Sequence, residues 1–355
     1  MFNVKRLELV RKRRRYTAKI LAEKARIAPV TLSRVVNGLQ APDDETINSL
    51  VAALEYPREF FFRDDIDPID ASTASFRSLK AMTARERDAA LAAGELAYEM
   101  ADWVRSQFNL PDADLLDLSH ENDAAAAART LRQRWAIGER PIGNMVKLLE
   151  TKGVRVFSLA ENTKNVDAFS CWRNGEPYVF LNTFKSTERS RFDAAHELGH
   201  LVLHKHGGAR QGRSAEYEAH LFAASFLMPQ DDVLATIPFV TSLDQIVKTK
   251  TRWGVSVAAL AYRLHKLKLL TDWQYRTYCI QINRKYGSEE PNGLSPERSS
   301  VWQMILTELW REGVTKSHIA AQLNVPSDET ENLLFGLTGD VKPPENIGKY
   351  SLKLA

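Results

Sequence analysis

Cysteine is nearly missing from this chain. Its 355 residues hold two, Cys171 and Cys279. They lie far apart and in no metal-ligand or redox spacing, which excludes a cysteine-based metal or redox centre and fits a reducing cytoplasm. No stretch approaches the roughly 18 consecutive apolar residues of a membrane span. The N-terminus is charged within its first six residues and shows no apolar segment of a secretory signal. These absences lead to the expectation of a cytoplasmic protein with no membrane contact. Charge of one sign is also missing overall: 48 Lys/Arg against 45 Asp/Glu leave +3, too little to name a partner. With 44% hydrophobic and 26% charged residues, the composition is that of a folded globular protein rather than a disordered one. The length allows two or three domains, each with its own core.

The charge that is present is unevenly placed. Between Met1 and Arg26 ten Lys/Arg stand against Glu8 and Glu23, a local excess of eight positive charges. Helix signals follow at short intervals. Thr17 is a plausible N-cap for a helix with Ile20, Leu21 and Ala25 on one face. Ile27–Pro29 forms a tight break, and Pro29 suits the first turn of a helix through Leu32 and Val35. That helix stops near Asn37-Gly38, and Asp43-Asp44-Glu45 opens another through Ile47, Leu50 and Leu54. Short helices with tight turns on a basic background describe a helix-turn-helix. A plain helical bundle with a solvated arginine face is the blander alternative.

Residues 7–62, with Leu32-Ser33, Asn37-Gly38 and Pro42 as landmarks, resemble the lambda-repressor-like (XRE) family. The resemblance implies that the helix beginning at Pro29 enters the major groove of a double-stranded DNA operator. Val30, Thr31 and Arg34 would then reach base edges, with Thr17, Lys19, Asn37 and the Arg11–Arg15 run near phosphate. Ala18 departs from the family's usual Gln, so operator specificity does not carry over.

Acidic, Pro-containing residues 64–75 read as a domain boundary. Residues 76–108, Ala-rich and charged, read as a long helix linking two functional ends. A helix from Asn122 to Trp135 and another over 144–153 precede three runs, "VRVFSL", "AFSCW" and "PYVFLN", whose β-branched and aromatic content predicts strands of a small sheet. Helical spacing returns in "STERSRFDAAHELGHLVLH", with Ser186 or Thr187 as its cap. The expected fold is mainly α with a small β-sheet (α+β): an all-α N-terminal bundle, a second domain built on the sheet and a helical C-terminal region. The boundaries expected are 1–63, 64–121 (linker and long helix), 122–270 and 271–355.

The helix with "HELGH" carries the chemistry. His196 and His200, four residues apart, share one helix face and can aim imidazole nitrogens at a single ion. Glu197 is displaced to the side where an attacking water would sit, as a general base requires. A catalytic zinc takes three protein ligands and an open position, and "RSAEYEAHLFAASFLMP" offers Glu216, Glu218 and His220 for the third. By chance alone H-E-x-x-H also occurs in solvated helices. Here, however, Ala194, Ala195, Leu198, Leu201 and Leu203 make the helix largely apolar, so the histidines need partners.

"RSRFDAAHELGHLVLH" followed by "EYEAHLFAASFLMP" resembles the ImmA/IrrE family of zinc metallopeptidases over about 76–265. The resemblance implies Zn2+ held by His196, His200 and Glu216, with Glu197 catalytic and Glu218 as the fallback ligand. His220 stands where the family usually has Asn, and could alter nearby hydrogen bonding or add a ligand. It further implies a DNA-binding regulator that cleaves a protein substrate, a repressor or other regulator, with homodimer formation possible. The rivals are a regulator whose metal domain senses a ligand or partner without proteolysis, and an antitoxin-like protein that autoregulates its operon. His204 and His206 are expected to face solvent, and His120, His265 and His318 are assigned no role. Residues 253–270 and 313–337 have helix-turn-helix-like spacing; either could touch nucleic acid, although packing as scaffold is the commoner use. The tail 339–355 is polar and expected to be loosely ordered.

Overall fold

A computed structural model describes residues 1–70, 83–159, 168–205, 212–287 and 289–339. Residues 76–82 of the expected long helix, His206 and nearly all of the C-terminal tail lie outside them. Packing divides the chain into two compact units. Of the described residues, one comprises Met1–Pro68, Thr83–Asn109 and 298–339; the other contains those within Leu110–Glu297. No described helix is long and apolar enough to cross a membrane.

The first unit opens with α1 (Val4–Arg13), α2 (Ala18–Ala25), α3 (Pro29–Val36) and α4 (Asp44–Leu54). Each begins where the side chains dictate. Asn3 caps α1, Thr17 accepts from the Ile20 amide, Pro29 occupies the first turn of α3, and Asp43 accepts from the Thr46 amide. Leu7, Val10, Leu21, Leu32, Val35, Leu50, Leu54 and Phe60 bury a common core. Next comes α5 (Ala84–Gln107), which starts at a Thr83/Glu86 capping box. Half of its 24 residues are buried, many of them alanines that admit close helix packing. It packs on α1, so it is a core element of this unit and not the connecting rod that its charge pattern suggested.

The second unit holds α6 (Ala124–Arg134) and α7 (Met145–Thr151), capped by Asp123 and Asn144. Its sheet contains β1 (Arg155–Ser158), β2 (Phe169–Arg173) and β3 (Glu176–Leu181) in the order β1-β3-β2. β1 runs parallel to β3 and β2 antiparallel. Asn174 and Gly175, both at positive φ, make the two-residue turn of the β2–β3 hairpin and set the register Ser170↔Val179.

Against this sheet lies α8 (Thr187–Leu203), capped by Ser186. It pairs with α9 (Arg213–Leu227). After these come α10 (Gln230–Thr236), α11 (Leu243–Thr249), α12 (Val257–Lys266) and α13 (Asp272–Tyr286). Val257, Leu260, Ala261 and Leu264 turn one face of α12 inward, the scaffold use of the 253–270 segment.

Buried ion pairs hold the first half of α8. Lys250 sits between Glu188 (3.1 Å) and Glu290 (3.2 Å). Arg191 pairs with Glu297 and donates to the carbonyls of Ile142 and Trp253. A Cβ on Gly254, at φ +65°, would meet the Arg191 Nε at 3.0 Å, so glycine is required there.

The chain returns to the first unit with α14 (Ser300–Arg311), α15 (Lys316–Leu323) and α16 (Ser327–Leu334). This differs from the expectation of one C-terminal region over 271–355: residues up to 297 belong with the sheet-containing unit and those after it with the N-terminal helices. The reason is a set of polar ties that local sequence pattern does not carry. Arg13 reaches Glu329 (2.8 Å), Tyr56 donates to Glu329 (2.9 Å) and Arg63 donates to the Leu323 carbonyl (2.6 Å).

Candidate functional site

Two features of α8 and α9 bring the polar residues together. The first is Gly199, between the two histidines of the motif. A Cβ there would lie 3.1 Å from Phe222 and 3.2 Å from the Ala219 Cα, so its absence lets α9 close onto α8. The second is the anchoring of the far end of α9, where Arg132 donates to the Phe226 carbonyl and Arg263 to that of Met228. These are end carbonyls that a helix leaves unsatisfied. Burial lowers both guanidinium pKa values to about 10.

On this frame His196, His200 and Glu216 converge, with one donor atom of each within 4.8 Å of the others. The two Nε2 atoms are 3.1 Å apart, and Glu216 oxygens lie 3.2 Å from His196 Nε2 and 3.4 Å from His200 Nε2. Ligand atoms about 2.0–2.1 Å from a tetrahedral zinc lie about 3.3–3.4 Å apart, so the spacing fits such an ion. Protonation fits as well. Burial lowers the His200 pKa, against the pull of Glu216, and keeps the imidazole neutral. Burial would raise the Glu216 pKa, but its hydrogen bonds with His196 and His200 outweigh that and hold it at about 2. Two imidazoles and an ionised carboxylate are a zinc donor set.

Glu197 is fully buried. Its Oε2 accepts a 2.7 Å hydrogen bond from Ser170 on β2, a partner that sequence reading missed. Only the alternation of β2 points to it: Ser170 and Trp172 face α8, and Trp172 donates to the Leu201 carbonyl (3.2 Å). Glu218 is not in the metal set. His220 packs between Phe192 and Tyr262, ring centroids 5.0 and 5.5 Å away, rather than joining the donors. His204 corrects the expectation of a solvent-facing residue: it is 10% exposed and lies 3.2 Å from Glu218 and 3.1 Å from His200.

In the other unit, α3 buries only Leu32 and Val35. Val30 (63% exposed) and Arg34 stand outward, and Thr31 is half-buried. The Thr17 hydroxyl accepts from Ile20, Lys19 is exposed, and Asn37 donates to the Ser33 carbonyl at 2.8 Å.

The Arg11–Arg15 run is largely spent inside the fold. Arg11 holds Glu8, Arg13 holds Glu329, and Arg14 donates to the Leu54 carbonyl and pairs with Asp328. Asp328 and Glu329 lie in the first turn of α16.

A family model described as a helix-turn-helix matches residues 7–61. One described as an IrrE N-terminal-like domain, of the M78 peptidase type, matches residues 149–265, the segment that holds the sheet, α8 and α9. No curated protein matches the chain. In one polypeptide, then, an N-terminal helix-turn-helix domain of the XRE type is followed by an IrrE-like domain of the metallopeptidase type.

Proposed function

We propose that this protein is a DNA-binding transcriptional regulator whose IrrE-like domain is a zinc-dependent endopeptidase acting on a repressor or other regulatory protein. The observation that carries the reading is the buried donor triad of His196, His200 and Glu216 with a second carboxylate, Glu197, held beside it by Ser170. A site that only bound metal would have no use for that second acid.

Bound zinc supplies a Lewis acid that polarises a peptide carbonyl and acidifies water. Glu197 takes a proton from the water that attacks the carbonyl carbon. As the C–N bond breaks, it passes that proton to the departing amine nitrogen. Because Ser170 donates to Oε2, the carboxylate plane is fixed and Oε1 becomes the oxygen that handles the proton. The α8–β2 wall, buried on the α8 side, keeps bulk water from the base.

At the other end, Val30, Thr31 and Arg34 on α3 read base edges, while Thr17, Lys19 and Asn37 contact phosphate. Exposure of the outer α3 face supports this assignment.

The test is Glu197→Gln, co-expressed with regulators encoded at the same locus. The variant should keep about one zinc per chain and lose cleavage by about 10²–10⁴-fold. Derepression by both proteins with no fragment would replace the peptidase with a metal-dependent sensor.

A further inference from the structure

We propose that His204 and Glu218 form a positioning relay for His200, running from the Glu218 carboxylate through the His204 imidazole to His200 Nδ1. The inference rests on the metal-centre reading above and deepens it.

The geometry is a continuous chain. His200 Nδ1 lies 3.1 Å from His204 Nδ1, and His204 Nε2 lies 3.2 Å from Glu218 Oε2. Ser214 donates to the other Glu218 oxygen at 3.3 Å. His204 ends α8 one turn beyond His200. Glu218 follows Glu216 by two residues, and two residues of helix turn a side chain by about 200°. Glu216 therefore faces the two metal-motif histidines while Glu218 meets His204, and the neighbouring glutamates take separate work.

Proton positions follow without further assumption. A ligating His200 offers its Nε2 lone pair, so its proton sits on Nδ1. That N–H donates to His204 Nδ1, which must then be the unprotonated nitrogen. The His204 proton consequently sits on Nε2 and donates to Glu218. One tautomer at each ring satisfies both contacts of the relay, and the direction is set by His200 acting as a ligand. Such outer partners fix the ring's orientation and raise its basicity, and losing one weakens metal binding by about 10–100-fold.

A purely mechanical tie between α8 and α9 would use the same contacts, and the two accounts separate on Glu218→Gln. Glutamine still accepts from His204 but carries no charge. Full-length protein is titrated with zinc against a chromophoric chelator, and each metal-free form is melted in parallel. The relay predicts zinc affinity reduced about 10–100-fold in His204→Ala and reduced in Glu218→Gln, with metal-free melting unchanged in both. Affinities within about twofold of wild type, or losses matched by equal metal-free destabilisation, overturn it.

A wild type that binds no zinc would instead refute the metal centre itself. Should His204→Ala fail to fold, ¹⁵N-histidine NMR of the zinc-loaded wild type decides. The His200 proton must reside on Nδ1 and the His204 proton on Nε2, and the reverse pattern at His204 overturns the relay.

Discussion

The two functional helices present their residues in opposite ways. Along α3 only Leu32 and Val35 are buried, and of the candidate reading residues Val30 and Arg34 stand in solvent while Thr31 is half-buried. Along α8 every residue from Arg191 to Leu203 is buried, motif histidines and glutamate included. An exposed polar side chain needs nothing from the protein until its partner arrives. A buried one must be satisfied by the fold itself, and α8 accordingly acquires Ser170, Glu216, His204 and a glycine that lets α9 approach. The base-reading residues proposed for DNA can therefore share one short helix, whereas the proposed metal centre draws on a strand and two helices.

That contrast orders the expected effects of mutation. The largest belong to the donors. His196→Ala, His200→Ala and Glu216→Ala should each lose zinc by more than the roughly 10–100-fold that an outer partner is worth, measured by elemental analysis after dialysis. Equal zinc content in Glu216→Ala would break the assignment of the third ligand.

Next is Arg13→Ala. It leaves Glu329 nearly buried with its main cation gone, which costs about 3 kcal/mol, the low end for a broken buried pair because Tyr56 still donates. Urea unfolding should show this while the salt slope of DNA binding stays at the wild-type value. A slope reduced by about one would instead return Arg13 to the phosphate backbone.

Gly199→Ala forces α8 and α9 apart and should cost about 1–3 kcal/mol. Its zinc affinity should fall with the thermal midpoint, because the same approach carries Glu216 to the histidines. A shift in neither would mean the Phe222 ring gives way freely. Smallest in stability is Arg34→Ala, which should leave the melting temperature unchanged. It should weaken operator binding by about 1–3 kcal/mol more than random-DNA binding. Equal losses on both would demote Arg34 to a backbone contact.

The sequence is most transparent where structure is local. Thr17, Pro29 and Asp43 announce the starts of α2, α3 and α4 through caps and a fixed φ, and the three strand runs and the four-residue histidine spacing are equally short-range. It is opaque where partners are distant. Arg13 and Glu329 are 316 residues apart, so the Arg11–Arg15 run looks like a phosphate-binding surface until its acids are placed. Ser170 and Glu197 meet only through strand register, and His204 looks like a loop residue until Glu218 is set beside it. Charge along a chain does not tell whether an ion pair is already made, and the basic run is read differently once Glu329 and Asp328 are placed beside it.

X-ray absorption at the zinc edge of the loaded protein reads a buried centre of two imidazoles and one carboxylate without an intermediary. The expected spectrum has a nitrogen/oxygen shell at about 2.0–2.2 Å with the outer scattering of two imidazoles, a pattern that Glu218→Ala keeps and Glu216→Ala loses. A third imidazole in the shell, or a pattern lost on removing Glu218 rather than Glu216, would contradict it.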